Sequence, residues 1–234
     1  MIQIKNIDCL EGLRQLPDKY ADLVIMDPPY YFGPDAGPGG GMLGRRPHTK
    51  EVMAMNEQIN TEVLDQCLRV LKQPNLYIWC NKTQVGGYIS YFESKGSTTD
   101  ILTWHKNNPM PAISNHYLPD TEYCLFFRRG APLYGTYRTM HKYWITDINT
   151  NDKRKYGHPT IKPLEIIKQL ITNSTQRGGV VIDPYLGSGT TAVACKILGR
   201  DCVGYEINPD YYRIAENRLK EVETSLYDFM GASA

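Results

Sequence analysis

The stretch Val180-Val181-Ile182-Asp183-Pro184-Tyr185-Leu186-Gly187-Ser188-Gly189-Thr190-Thr191 constrains this chain more than any other. It reads as an apolar strand, an acidic strand end, a glycine turn and the opening of a helix that continues through Ala192 to Leu198. Gly187 and Gly189 allow backbone angles and close approaches that a side chain forbids. A phosphate-cradling P-loop requires Lys before the Ser or Thr, whereas Gly189 is followed directly by Thr190. The spacing also departs from the dinucleotide G-x-G-x-x-G pattern. A nucleoside ligand without a phosphate chain suits such a turn. Some twenty residues on, Asp201-Cys202-Val203-Gly204-Tyr205-Glu206 is a short strand ending in an acid, the arrangement that accepts hydrogen bonds from ribose hydroxyls in dinucleotide folds. Glu206 and the adjoining Ile207 are therefore candidate ligand-binding positions.

A second apolar run, Leu23-Val24-Ile25-Met26, closes on Asp27-Pro28-Pro29-Tyr30. Consecutive prolines fix φ and carry no N–H, so nearby carbonyls escape absorption into a local turn and are left to face a ligand. An ionised Asp27 adds another acceptor, and Tyr30 offers a stacking face worth roughly 1–3 kcal/mol for an unpaired nucleobase. The four residues form a clamp for an exocyclic amine. By itself Pro-Pro is an ordinary way to end a strand; the glycine turn in the second half of the chain gives the tetrapeptide its meaning.

Asp27-Pro28-Pro29-Tyr30 preceding Asp183-Pro184-Tyr185-Leu186-Gly187-Ser188-Gly189-Thr190-Thr191 resembles the β-class DNA amino-methyltransferases, S-adenosylmethionine-dependent enzymes whose catalytic motif comes first in the chain. The likeness spans nearly the whole sequence. Ile4 to Leu10 is similar to the family's segment that cradles the cofactor adenine, which implies binding roles for Asp8 and Cys9. His158-Pro159-Thr160-Ile161-Lys162-Pro163 is similar to the motif that lies along the cofactor, implying His158, Thr160 and Lys162. Trp104 to Pro111 and Asp120 to Phe126 resemble the adenine enzymes of the MboII type. The resemblance implies a Rossmann-like S-adenosylmethionine-dependent methyltransferase fold, with the cofactor held by Asp27, Asp183, Pro184, Tyr185, Gly187, Ser188, Gly189, Thr190, Thr191 and Glu206. It implies methylation of adenine N6 in a specific DNA sequence after base flipping, with Asp27, Pro28, Pro29 and Tyr30 catalytic. Asp at position 27, where the cytosine enzymes more often have Ser, favours adenine. N4-cytosine methylation stays open as the alternative, with RNA or a protein glutamine amide behind it. A rival of another class is a catalytically silent DNA-recognition subunit. A homodimer and a cognate restriction endonuclease are further partners that the resemblance raises. Ile182 and Tyr185 stand where phenylalanines are more frequent, and the glycine tract from Gly37 to Gly41 is unusual.

The net charge of +1 advertises no polyanion partner, so a DNA surface has to come from local clustering. Gly33 to Lys50 is glycine-rich and carries Arg45, Arg46 and Lys50; residues 33–58 read as a flexible loop after the clamp. Residues 128–157 read as a DNA-recognition insertion, with Arg138, Lys142, Lys153, Arg154 and Lys155 interleaved with Tyr134, Tyr137, Tyr143 and Trp144. Lys106 joins them as a DNA-contact candidate. The cysteines at 9, 67, 80, 124, 195 and 202 form no C-x-x-C pair and mostly sit in apolar stretches, which argues for a reducing compartment and against a metal site. With no basic-then-apolar leader and no membrane-length run, the expectation is a cytoplasmic, nucleoid-associated protein of bacterial, archaeal or viral source.

At 234 residues and 41% hydrophobic content, one α/β catalytic domain, residues 1–234, is expected. Helices are expected over 61–71, 85–95 and 163–176, with Gly96 and Gly178-Gly179 as stops. Strands are expected over 75–80, 100–104 and 123–127, the last antiparallel to its neighbour. The sum is a mostly parallel sheet covered by helices on both faces, with the ligand crevice beyond the carboxyl ends of its strands. Asp27 and Asp183 should open into that one crevice.

Overall fold

The computed structural model describes residues 1–30, 60–109, 111, 117–157 and 160–231, with side chains placed as far as residue 222. In chain order the elements are β1 (Ile2–Lys5), α1 (Cys9–Arg14), β2 (Leu23–Met26), α2 (Thr61–Val70), β3 (Asn75–Cys80), α3 (Val85–Ser94), β4 (Thr98–Lys106) and β5 (Thr121–Arg128). They continue as β6 (Tyr143–Thr146), α4 (Thr150–Tyr156), α5 (Leu164–Ser174), β7 (Val180–Asp183), α6 (Thr190–Leu198), β8 (Asp201–Tyr205) and α7 (Pro209–Gly231). The eight strands form one sheet in the order β1-β8-β7-β2-β3-β5-β4-β6. Pairings are parallel except at β5, which runs against both β3 and β4. Seven strands therefore end at one edge, and β5 begins there.

Alternation along the central strands sorts side chains to two cores. Val24 and Met26 of β2, with Leu76, Ile78 and Cys80 of β3, meet Val63, Leu64, Cys67 and Val70 of α2 and Tyr88 and Phe92 of α3. Leu23, Ile25, Tyr77 and Trp79 face the other way, onto Ile166, Ile167, Leu170 and Ile171 of α5 and Ala192, Ala194 and Cys195 of α6. Both faces are thus covered, as expected. This explains why Leu23 to Met26 is a continuous apolar run rather than an alternating one.

The helices start and stop on local chemistry. Asn60 caps α2 by accepting from the Glu62 and Val63 N–H groups at 3.1 and 3.3 Å. Gly96 at φ +79° and Gly199 at φ +67° take the left-handed conformation just beyond α3 and α6. Helix α5 ends at Ser174, short of the glycine pair, because Thr175 is already extended.

Strand β4 is longer than expected, and several elements were not anticipated: β1, α1, β6, α4 and α7. The segment 128–157 is partly sheet. Strand β6 pairs with β4, Trp144 packs 6.4 Å from the Trp79 ring, and its indole N–H donates to Gln169 Oε1 at 3.0 Å. The glycine-rich loop at 33–58 lies outside the described residues. Among the described residues no helix is long and apolar enough to cross a membrane.

Candidate active site

Because seven strands share a direction, the polar residues at their carboxyl ends collect at one edge. Asp27 follows β2 and Asp183 closes β7, and these strands are neighbours paired through Val24 and Ile182. The two acids open into one crevice. Glu206, just past β8, completes the row, since β8 pairs with β7.

The crevice has two halves. Along β7 and β8 the contacts are mostly backbone. Asp183 accepts from the Tyr185 N–H at 3.0 Å, and Glu206 accepts from the Gly187 N–H at 2.7 Å and the Asn208 N–H at 2.8 Å. Gly187 and Gly189 have φ of +52° and +80°. A Cβ on Gly189 would sit 2.7 Å from that of Ala215, so α7 packs too close for any larger residue. Burial pushes the Asp183 carboxyl up to about 7, against hydrogen bonds from Thr191 and the Tyr185 N–H, and its acidic neighbours Asp27 and Glu206 push the same way. Burial likewise raises Glu206. Asp183 thus stands as a buried carboxyl beside two other acids, an environment that favours a cationic ligand group.

Arg218 is a residue behind the turn that sequence reasoning missed. It is 4% exposed and donates to Ser188 O, Ser188 Oγ and Thr190 Oγ1 at 2.8, 2.9 and 3.0 Å, fixing the turn from behind. Its guanidinium lies 4.8 Å from the Tyr156 ring of α4. Lys155 and Tyr156 in turn bind Glu221 at 2.7 and 2.9 Å. A lone Arg in an amphipathic stretch gives no signal of this in sequence.

The other half is made of side chains. Lys162 Nζ stands 2.7 Å from Asp27 Oδ2, 3.1 Å from Tyr30 Oη and 3.2 Å from Glu122 Oε2. Tyr30 Oη donates to Glu122 Oε2 at 3.1 Å, and Lys106 Nζ holds Glu122 Oε1 at 2.6 Å. Lys162 also lies 5.3 and 5.1 Å from the Tyr30 and Trp79 ring centroids. Gln84 Nε2 donates to the Pro29 carbonyl at 3.4 Å, steadying the clamp's backbone.

Burial lifts the Asp27 carboxyl above the ordinary carboxylate range, with Lys162 opposing it. Burial acts to raise Glu122 as well, but Lys162 and Lys106 overcome it and hold that carboxyl down to about 2. Lys162 is pushed upward, because Asp27 and Glu122 outweigh its own burial. It stays an ammonium between two acids.

The expected residues divide accordingly. Asp27, Pro28, Pro29 and Tyr30 are together at the end of β2. Asp183, Pro184, Tyr185, Gly187, Ser188, Gly189, Thr190, Thr191 and Glu206 form the backbone half, and Ile207 beside them is 55% exposed. Asp8 caps α1, accepting from Leu10 and Glu11 N–H at 2.9 and 3.2 Å. Cys9 bonds Tyr185 and is pushed up by burial to about 11, so it remains a thiol. Thr160 precedes Lys162, which stands on the Asp27 side of the crevice. Lys106 sits in the wall behind Glu122, with 16% of its side chain exposed. Lys142 pairs with Asp100 on the sheet's far edge. Arg138 lies in the turn before β6, whereas Lys153, Arg154 and Lys155 are on α4. His158, Arg45, Arg46 and Lys50 fall outside the described residues.

The DNA methylase family N6_N4_Mtase matches residues 21–217. The type II methyltransferase M2.DpnII of Streptococcus pneumoniae is 29% identical over 241 residues, spanning 93% of this chain and 90% of that protein. M2.MboI of Moraxella bovis is 26% identical over 238 residues, spanning 92% and 86%. Among solved structures, the M1.HpyAVI–SAM complex superposes with a TM-score of 0.71 at 26% identity, covering 94% of this chain and 99% of that one. PvuII DNA methyltransferase, cytosine-N4-specific, shares the fold at a TM-score of 0.74 and 14% identity, covering 97% and 91%.

Proposed function

The chain belongs to the N6_N4_Mtase family of DNA methylases, and from that premise we propose that it methylates the exocyclic N6 amine of adenine in DNA, using S-adenosyl-L-methionine. The observation that carries the reading is the shared crevice: Asp27 and Asp183 end adjacent parallel strands, so an acceptor clamp and an ammonium-seeking pocket open side by side. S-adenosyl-L-methionine supplies a methyl group activated by a sulfonium. The residues present suit it. Asp183 is a buried carboxylate whose charged neighbours are acids, and the cofactor's α-ammonium answers that need. In this reading Glu206 takes the ribose hydroxyls, and the turn at Gly187 and Gly189 supplies the close backbone approach.

The chemistry left to the chain is to make an aromatic amine nucleophilic, since its lone pair is delocalised into the ring. The Asp27 carboxylate and the Pro28 carbonyl each take one N–H, drawing the nitrogen toward a tetrahedral shape. As positive charge develops on that nitrogen, fixed acceptors stabilise the transition state more than the ground state. Asp27, raised by burial, is also a fit first acceptor for the proton the methylated amine sheds. Tyr30 offers its face to the flipped base, and its hydroxyl is anchored on Glu122. DNA contacts are assigned to Arg45, Arg46, Lys50, Arg138 and the basic α4, with recognition lodged in 128–157. A second copy of the chain and a cognate endonuclease complete the proposed setting.

Tritiated methyl transfer to DNA, RNA and protein tests the substrate. Digestion of the labelled DNA to deoxynucleosides tests the base: label in N6-methyl-2′-deoxyadenosine supports the reading, and label in N4-methyl-2′-deoxycytidine replaces it.

A further inference from the structure

The clamp already has an occupant. Lys162 Nζ donates to Asp27 Oδ2 at 2.7 Å, the distance and the kind of bond a target amine would take on that oxygen. For the base to be gripped there, the ammonium has to pass to another acceptor. Glu122 is placed to receive it. Its Oε2 is 3.2 Å from Nζ, so a small rotation of the lysine's terminal torsions exchanges one carboxylate for the other. Lys106 at 2.6 Å on Oε1 and the Tyr30 hydroxyl at 3.1 Å on Oε2 pin Glu122 from both sides, so it does not follow Lys162 toward Asp27.

We propose that Lys162 is a placeholder for the target amine on Asp27, and that Glu122 is the positioning residue that draws the ammonium aside as the base enters. The proposal rests on the methyltransferase reading of Asp27. It gives the two lysines and two acids a task beyond mutual neutralisation: with Glu122 to hold it, the Lys162 ammonium keeps an ion-pair partner when Asp27 turns to a neutral amine.

The groups facing Asp27 are Lys162 ahead of α5, Tyr30 after β2, Glu122 and Cys124 on β5, Cys80 on β3, Tyr88 on α3 and Asp183 on β7, with Lys106 of β4 behind Glu122. Burial keeps Cys80, Cys124 and Tyr88 protonated at neutral pH. Saturating cofactor fixes the charge of Asp183, which leaves Asp27 to set the acid limb.

The test is single-turnover methyl transfer to a DNA duplex against pH, with cofactor and protein saturating. Asp27 must be ionised to act, so the rate falls as pH drops through its pKa. Glu122→Gln removes the competing charge and leaves the ammonium on Asp27. The acid limb should move down by about one pH unit, the scale of one close charge, while the plateau falls about tenfold. Lys162→Met should move the limb upward instead. In the Lys162→Met background, adding Glu122→Gln should no longer lower the plateau, because no ammonium remains to redirect. A limb that stays put or rises in Glu122→Gln overturns the proposal, as does an equal plateau loss in both backgrounds or a loss of thermal stability alone. A wild-type chain that methylates no DNA would remove the underlying reading instead, so the two failures are separable.

Discussion

The two halves of the crevice are built by different means. The β7–β8 half is local: Asp183, the glycine turn and Glu206 lie within one strand-turn-helix-strand unit, and its geometry is set by backbone N–H groups and left-handed glycines. The β2 half joins Asp27, Lys106, Glu122 and Lys162 from four separate parts of the chain through charged side chains. A backbone-built pocket tolerates few substitutions at its turn but is indifferent to many side chains around it. A pocket of interlocked charges is the reverse: each member is replaceable in shape, and each removal strands a partner.

The largest expected effect tests that division from the clamp side. Asp27→Ala should slow methyl transfer by about a thousandfold, the upper range for one transition-state hydrogen-bonding group, while calorimetric cofactor affinity stays within a few-fold of wild type. Retained turnover would remove Asp27 from the chemistry. From the other side, Gly189→Val combines a forbidden φ with a clash against Ala215. It should weaken cofactor binding by about a hundredfold, measured by the same titration, without moving the acid limb of any residual rate.

Acidification should separate the halves without mutation. Asp183 must be ionised to hold a cation, and burial pushes its carboxyl up to about 7. Protons therefore compete with the cofactor, and the dissociation constant should rise about tenfold between pH 8 and pH 6. A flat profile would show that the ammonium is held elsewhere. The smallest effect concerns the margin of the backbone half. Asp8→Ala should cost about 1 kcal/mol of stability in denaturant melts through the lost helix cap, and Asp8→Ser should restore it. Weakened cofactor binding in the Ser variant would give Asp8 a direct role.

The same contrast explains what was legible in the sequence. The turn, Glu206 and the clamp's own four residues were readable because strand, acid and glycines are contiguous, and the helix and strand periods around them are strong. Lys162 was read along the cofactor because its motif is local, whereas its position on Asp27 spans 135 residues. Glu122 is hidden for a topological reason: it opens a strand, and only the reversal of that strand brings its start to the crevice. Strand β1 is four residues with only Ile2 and Ile4 facing inward, and β6 alternates too briefly to stand out from a basic, aromatic surface. Arg218 carries no motif; only folding of α7 against α6 brings it to the turn.

The reversal of β5 has a further consequence. Since β4 finishes and β5 starts at the crevice edge, the connection between Lys106 and Thr121 has both its anchors beside the clamp, while the paired register from Thr98 to His105 lies behind it. Residues inserted or deleted between those anchors leave every rung of that ladder in place. The ladder therefore does not set the length of that connection, and Lys106 and Glu122, paired to each other, stand as fixed posts on either side of it.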